Sequence, residues 1–363
     1  MKIFLIPVLG ATLVACADTQ AFEPQHTPIE TATGSVLTQE NLHQIVEQAM
    51  ATTNTPGMGL VVINGGEIVH DGVYGVEDVR TSDPVTHDTV FEAASLSKPL
   101  FGFLTMTFVE DGVLDLDRPL YEYLPHRDIE HDARYRQMTA RHVLSHQTGF
   151  PNWRSDTPDL GLHLKFTPGQ GFFYSGEGYE YLADVLMHLA DTDDAGLEAL
   201  YQTRIAQPLG MVRSEFIASS STLERRAIPH RDGEPLDMGE ADPTFGAAYS
   251  LHSDARDYAQ FVLGMMEERV LEAQSYDRFY ASQSSPIPAD DPARALGLSD
   301  WALGFSVYEL PMGRFYIHGG NNPGYTSFVA FNPESGWGVV LFTNANQAND
   351  LIQVVVGTLS GLE

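Results

Sequence analysis

Apolar positions recur along this chain with two different periods. Between Thr38 and Thr52, the residues Leu42, Ile45, Val46, Ala49 and Met50 fall on one stripe, which predicts an amphipathic helix capped by Thr38. Two short apolar runs follow, over 57–63 and 68–74, joined through Asn64-Gly65-Gly66-Glu67. Asn-Gly between β-rich runs predicts a tight hairpin. The long apolar run 100–109 predicts a buried helix closed by Gly112. From Asp115 to about Asp300 the pattern breaks into short helical segments, at 139–146, 179–189, 197–205 and 254–266, punctuated by Pro and Gly. Strand-like runs return at 304–309, 314–318, 326–332 and 338–343, and a last helix covers 348–360. The expected class is α+β. One antiparallel sheet, built from 37–114 and 301–363, is flanked by the first and last helices, and 115–300 form a mostly helical domain.

Composition changes this picture mainly at the N-terminal end. Lys2 and the apolar residues 3–14 have the charge and length of an export signal, too short to span a bilayer stably. Leu13-Val14-Ala15-Cys16 resembles the lipobox of bacterial lipoproteins, which implies that Cys16 becomes the lipidated first residue of the mature protein. An ordinary secretory signal with an incidental cysteine is the alternative. Residues 1–15 are thus expected to be a signal peptide. Residues 16–36, rich in Thr, Pro, Glu and Ala without periodicity, are expected to be a disordered tether. The expected location is the periplasmic or extracellular face of a bacterial membrane, with Cys16 as the membrane link. Cys16 is the single cysteine, so there is neither a disulfide framework nor a thiol catalyst. With 49 Asp+Glu against 20 Lys+Arg, the net charge of −29 argues against nucleic-acid partners and against docking on anionic lipid.

The candidate chemistry starts at Ser95-Leu96-Ser97-Lys98. Residues three apart on a helix share a face, and Pro99 is tolerated only in a helix's first turn. Ser95 is therefore expected at a helix N-terminus, where the dipole favours negative charge. That position and burial both disfavour an ammonium, so Lys98 is expected to be neutral enough to take a proton from Ser95. Only Lys2, Lys98 and Lys165 are lysines in a chain that otherwise uses arginine, and arginine cannot be deprotonated in a protein. On these residues alone, a capped helix with a snorkelling lysine accounts for the pattern equally well. His142 and His146 have the i,i+4 spacing of a zinc pair on a predicted helix, but Val143 stands where a base would be and no third ligand is evident. The polar stretch 126–132 reads as a solvated loop.

Six blocks in order carry a family resemblance: FEAASLSKPL (91–100), MTARHVLSHQTGFPNW (138–153), FTPGQGFFYSGEGYEYLADVL (166–186), IAQPLGM (205–211), AAYSLHSDARDYAQF (247–261) and HGGNNPGYTSFVAF (318–331). They resemble the penicillin-recognising serine hydrolases, in particular the class C β-lactamase-like group of esterases, D-amino-acid peptidases and β-lactamases, from about residue 37 onward. The resemblance implies a β-lactamase/transpeptidase-like fold with its site between sheet and helical domain, and chemistry without metal or cofactor. It implies Ser95 as acylated nucleophile, Lys98 as its proton partner, and Tyr174 as the tyrosine that shares the proton work, its pKa lowered beside the lysine ammonium. The oxyanion hole would be the backbone N–H groups of Ser95 and Asn321, the latter past His318-Gly319-Gly320 on an edge strand, where glycines let a carbonyl approach.

Two positions depart from the family's usual pattern. Gly176 stands where an amide-binding Asn is usual, and His318 where a carboxylate-facing Lys is usual; a histidine is mostly neutral at pH 7. Both weaken the case for penicillins and D-Ala-D-Ala peptides. Trp153 falls at the expected pocket rim, where packing explains it as well as substrate contact does. The expected function is cleavage of a carboxylic ester or amide through an acyl-Ser95 intermediate, esterase-like in preference to a β-lactamase or to a D,D-carboxypeptidase or D-aminopeptidase acting on cell-wall-type substrates. The rival is a catalytically weak lipoprotein that binds peptidoglycan or a partner protein, and the co-occurrence of Ser95, Lys98 and Tyr174 argues against it. Oligomeric state is left open.

Overall fold

The computed structural model describes residues 27–239 and 242–362. The expected signal, Cys16 and the first part of the tether lie outside the described residues. Helix α1 (Gln39–Thr53) begins where the Thr38 hydroxyl accepts the Asn41 N–H at 3.0 Å, the cap its sequence calls for. The Asn-Gly signal forms the hairpin of β1 (Gly57–Asn64) and β2 (Glu67–Asp78), with Gly65 and Gly66 at φ 57° and 78°. Positive φ at both central residues is the twist-matched two-residue turn. A two-residue strand, β3 (Asp83–Pro84), pairs with the end of β2.

The helical part contains α2 (Ser97–Glu110), α3 (Ala140–Leu144), α4 (Glu177–Ala190), α5 (Asp194–Tyr201), α6 (Ala255–Met266) and α7 (Ala273–Tyr280). The chain then returns as β4 (Leu298–Trp301), β5 (Ser306–Leu310), β6 (Gly313–Asn322), β7 (Tyr325–Asn332) and β8 (Trp337–Thr343), and ends in α8 (Asn349–Ser360). These strands form one antiparallel sheet in the order β4-β5-β6-β7-β8-β1-β2-β3. No helix among the described residues is long and apolar enough to cross a membrane.

The two ends of the chain meet at the β8–β1 ladder, where Val339 faces Val62 and Leu341 faces Leu60. Both strands are buried on both faces, which is why they read as near-continuous apolar runs. Alternation divides them. Met58, Leu60, Val62, Val339 and Leu341 point to α1 and α8, against Leu42, Val46, Leu351 and Val355. Val61, Ile63, Val340 and Phe342 point the other way, into the large core with α2 and with Tyr258 and Phe261 of α6. The sheet is thus a wall between two cores, and α2 is held against it from the side that carries the chemistry.

Two expectations need correction, and two elements lie where no pattern pointed. The tether does not extend to residue 36. Ile29–Glu30 pairs antiparallel with Val36–Leu37, Ile29 is fully buried, and the Glu30 carbonyl accepts from Asn64 Nδ2 and Trp337 Nε1. A two-residue strand tied down by one isoleucine and by groups far along the chain has no periodicity to read. Helix α3 stops at Leu144, and His146 adopts a left-handed φ of 57°. His142 and His146 therefore do not share a helical face. The short β4 and the helix α7 had no strong pattern of their own, and pairing with β5 and packing against α2 create them.

Leu341 tests the sheet's role as a wall. Leu341→Ala is expected to lower stability by about 2–5 kcal/mol. In urea this appears as a lower midpoint with an unchanged slope; an unchanged midpoint would contradict the packing.

Candidate active site

Ser95 sits in a tight turn, Ala94–Leu96, that leads into α2. Ala94 is held at φ 51°, a conformation that costs a non-glycine residue energy and persists only where the surroundings over-determine it. They do. The Ala93 N–H donates to Leu251 O at 2.7 Å, the Ser327 hydroxyl donates to Ala93 O at 2.6 Å, and the Ser97 hydroxyl donates to Ala94 O at 2.6 Å. Tyr258 of α6 closes the set by donating to Leu96 O at 3.0 Å. The turn's backbone is fixed from four directions, which leaves Ser95 at the mouth of the helix.

Lys98 is fully buried. Its Nζ donates to Ser95 Oγ at 3.1 Å and to the Ala248 carbonyl at 2.9 Å, and lies 4.7 Å from the centre of the Tyr174 ring. Burial lowers the amine to about 7 against an ordinary 10.5, with the Glu180 carboxylate pulling it back up. Tyr174 behaves in the opposite way to expectation. Burial pushes its phenol well above the ordinary 10, and a hydrogen bond with Ser95 offsets this only in part. The expected lowering assumed a permanent ammonium, whereas dehydration disfavours the charged form of both groups. The site therefore holds one amine that is ready to accept a proton and one phenol that keeps its own.

Two histidines complete this surround, both neutral. His318 is lowered to about 3 by burial and by Lys98. Its Nδ1 lies 2.8 Å from Gly319 O, which assigns the ring proton there. It contributes no positive charge to the site. His146 is buried, accepts the Ser175 N–H on Nδ1 at 3.1 Å, and packs against Tyr174 with the rings tilted by 33° and their centres 4.2 Å apart. It fixes the phenol ring as a packed neighbour. Trp301 of β4 stands edge-on to both histidines, at 4.9 and 5.8 Å between ring centres.

The strand carrying His318-Gly319-Gly320-Asn321 is not an edge strand, because β6 lies between β5 and β7. Its pairing with β5, however, stops at Ile317, whereas its pairing with β7 runs on through Asn322. The second half of β6 therefore has one open side, and its face at Gly320 meets the turn that carries Ser95. A Cβ built on Gly320 would lie 2.4 Å from Ala93 O and 3.0 Å from Ser95 N. Only glycine fits at that crossing. Asn321, exposed, follows it at the position expected to share the oxyanion role with Ser95.

Gly176 and Trp153 come together as a pair. A Cβ on Gly176 would stand 2.5 Å from the Trp153 indole. The loop carrying Trp153 is fastened to the tyrosine motif: Asn152 Oδ1 accepts the Gly176 N–H at 3.0 Å, and Arg154 grips Glu177 through Nε and Nη2 at 3.0 and 2.8 Å. Tyr249 meets Trp153 edge-on at 5.7 Å. The place where an amide side chain would project from residue 176 is occupied by indole.

Ser95, Lys98, Tyr174, His318 and Gly320 are thus gathered at one point, with Gly319 and Asn321 beside them and Trp153 and Gly176 at its rim. Three participants had escaped notice. Glu180 gives no local signal beyond being an acid in a helix, the Ala248 carbonyl has no side-chain signature, and Trp301 lies in a strand that the pattern did not reveal. Among the described residues, no three His, Cys, Asp or Glu side chains cluster as a metal site requires.

The family model described as beta-lactamase matches residues 42–353, and the chain belongs to that family. It is 29% identical over 222 residues to esterase EstB of Burkholderia gladioli, covering 53% of this chain and 55% of that protein. It is 24% identical over 311 residues to penicillin-binding protein 4* of Bacillus subtilis, covering 74% of this chain and 64% of that one. The chain thus spans under two thirds of the length of these curated relatives. Its fold is similar to that of D-alanine carboxypeptidase AmpC from Burkholderia cenocepacia, with a TM-score of 0.73 at 20% identity over 89% of this chain and 99% of that one. A penicillin-binding protein homologue from Pyrococcus abyssi, described as octameric, also gives 0.73, at 21% identity over 89% of this chain and 77% of that one.

The Gly176–Trp153 fit predicts coupling between the two positions. Gly176→Ala is expected to cost about 1–3 kcal/mol, as overpacking does, and most of that cost is expected to vanish in a Trp153→Ala background. A double-mutant cycle by urea denaturation measures it; strict additivity would show that the indole does not occupy the space.

Proposed function

We propose that this protein is a serine hydrolase that opens a carboxylic ester or amide through an acyl-Ser95 intermediate. The observation that carries this reading is the 3.1 Å contact between Ser95 Oγ and a buried lysine whose amine titrates near 7. Neutral Lys98 takes the Ser95 proton as Oγ attacks the carbonyl carbon. The oxyanion that forms is met by the backbone N–H groups of Ser95 and Asn321. Tyr174, still a phenol, gives its proton to the departing oxygen or nitrogen and regains one from the Lys98 ammonium. Water then cleaves the acyl-enzyme by the same path in reverse. Lys98 is therefore the base and Tyr174 the donor, because only the amine is poised to accept.

Within this class we favour an esterase-like activity. An indole over Gly176 and a neutral His318 leave neither an amide hook nor a fixed cation for a substrate carboxylate, and the relatives' names include an esterase. A β-lactamase or a D,D-peptidase would need another way to hold those groups. We further propose export and lipid anchoring at Cys16, supported by the apolar residues 3–14 and by Leu13-Val14-Ala15-Cys16.

The soluble chain from Ala17 onward is expected to hydrolyse p-nitrophenyl acetate orders of magnitude faster than its Ser95→Ala variant, and faster than it opens a chromogenic cephalosporin. Equal rates for the two folded proteins would leave the inert binder as the better reading. The sign of the pH dependence follows from Lys98. Its neutral form increases as pH rises through its lowered pKa, so kcat/KM is expected to climb along an acid limb near pH 7. In cells fed a labelled fatty acid, the full chain is expected to take up label that Cys16→Ser abolishes; label retained by that variant would refute the anchor.

A further inference from the structure

Glu180 lies in the first turn of α4, about one turn beyond the tyrosine motif, and is used by no step above. Its Oε1 accepts the Ala248 N–H at 2.9 Å, and the Ala248 carbonyl accepts from Lys98 Nζ at 2.9 Å. The carboxylate and the amine thus hold opposite ends of one residue, whose own side chain is a methyl group. Ala247 and Ala248 are fully buried and have no side-chain polar group with which to fix themselves.

We propose that Glu180 is a positioning residue for the Ser95–Lys98 pair, holding the Ala248 backbone against the amine and biasing the amine through its own charge. This rests on the serine-hydrolase reading for its catalytic meaning, but the coupling between the two groups is a property of the fold. Burial raises the Glu180 carboxyl to about 7, and Lys98 pulls it back down. Burial lowers Lys98, and Glu180 is the group that pulls it back up. Two interacting groups placed in this way titrate as a pair. Their net-neutral state is either an ion pair or a neutral acid beside a neutral amine, and the second is the form that accepts the Ser95 proton.

Other groups face the pair. Asp184 on α4 and Tyr249 from the adjoining loop interact with Glu180. Around Lys98 stand the neutral His146 and His318 and the phenols Tyr174 and Tyr179. Asp184 stands one turn further along the same face of α4, and its own carboxyl is raised by burial; it is not among the groups that shift Lys98. Glu180 is thus the acid that sets the amine's balance.

The chain has three lysines, so ε-13C-lysine labelling of the full chain resolves Lys98, with Lys98→Arg assigning its signal. Glu180→Gln keeps an acceptor oxygen and the side-chain shape but removes the charge. The Lys98 midpoint is expected to fall by about half a pH unit or more, and the acid limb of kcat/KM for p-nitrophenyl acetate is expected to move to lower pH with it. Glu180→Ala leaves the Ala248 N–H without its partner and is expected to lower kcat about tenfold with KM within about twofold. A Lys98 midpoint that is the same in wild type and in a folded Glu180→Gln overturns the proposal, even if Glu180→Ala loses activity or folding. A midpoint that moves in a protein whose wild type cleaves p-nitrophenyl acetate no faster than its Ser95→Ala variant upholds the coupling and leaves the inert binder as the better reading of the site.

Discussion

Lys98 has two oxygen partners in place of water, the Ser95 hydroxyl and the Ala248 carbonyl, and no exposed surface at all. A fall from 10.5 to about 7 amounts to about 5 kcal/mol of bias against its charged form. That bias comes from α2 being packed into one core with the sheet and with the other helices. Were the amine hydrated, it would remain an ammonium at neutral pH and donate to Ser95 without being able to relieve it of a proton. The packing of Tyr174, Tyr179 and the two neutral histidines around Nζ is therefore as much a part of the chemistry as the serine. The same dehydration keeps Tyr174 protonated, which separates the roles of the two groups without any further device.

The second constraint is the crossing of β6 over the turn that carries Ser95. A strand with neighbours on both sides along its first half loses one of them after Ile317, and in the unpaired half the face at Gly320 meets the backbone of Ser95. Gly320 makes the approach sterically possible, and Ser327 on the neighbouring strand ties it down through Ala93 O. The sheet thereby positions two parts of the site at once, the turn it supports and the strand it leaves unfinished. Strain at Ala94 is tolerated because these hydrogen bonds converge on its neighbours.

Much of this was legible in the chain. The hairpin at Asn64-Gly65, the Thr38 cap, the buried run of α2 and the strand-like apolar runs of β7 and β8 all depend on neighbours within a few residues, and the observed elements begin and end close to where local pattern puts them. Ser95 and Lys98 share a helix face by spacing alone. What local pattern missed depends on distant partners. Ile29 has nothing near it in sequence to mark it as core, β4 exists through its pairing with β5, and His146 lies past the end of α3 and packs against Tyr174.

Residue types by themselves therefore determined the inventory: a hydroxyl, a titratable amine, a phenol, a glycine-bearing strand, and neither an amide nor a lysine at the two places where the resemblance leads one to expect them. Tertiary structure decided the protonation states, because these depend on how much water each group loses and on charges brought from far along the chain. It moved Tyr174 up where proximity to lysine suggested down, and it set Trp153 into the space left by Gly176. It also joined Glu180 to Lys98 through a backbone that no side-chain pattern could mark. Short-range geometry is written in the order of residues, whereas hydration and long-range charge exist only once the chain has closed around them.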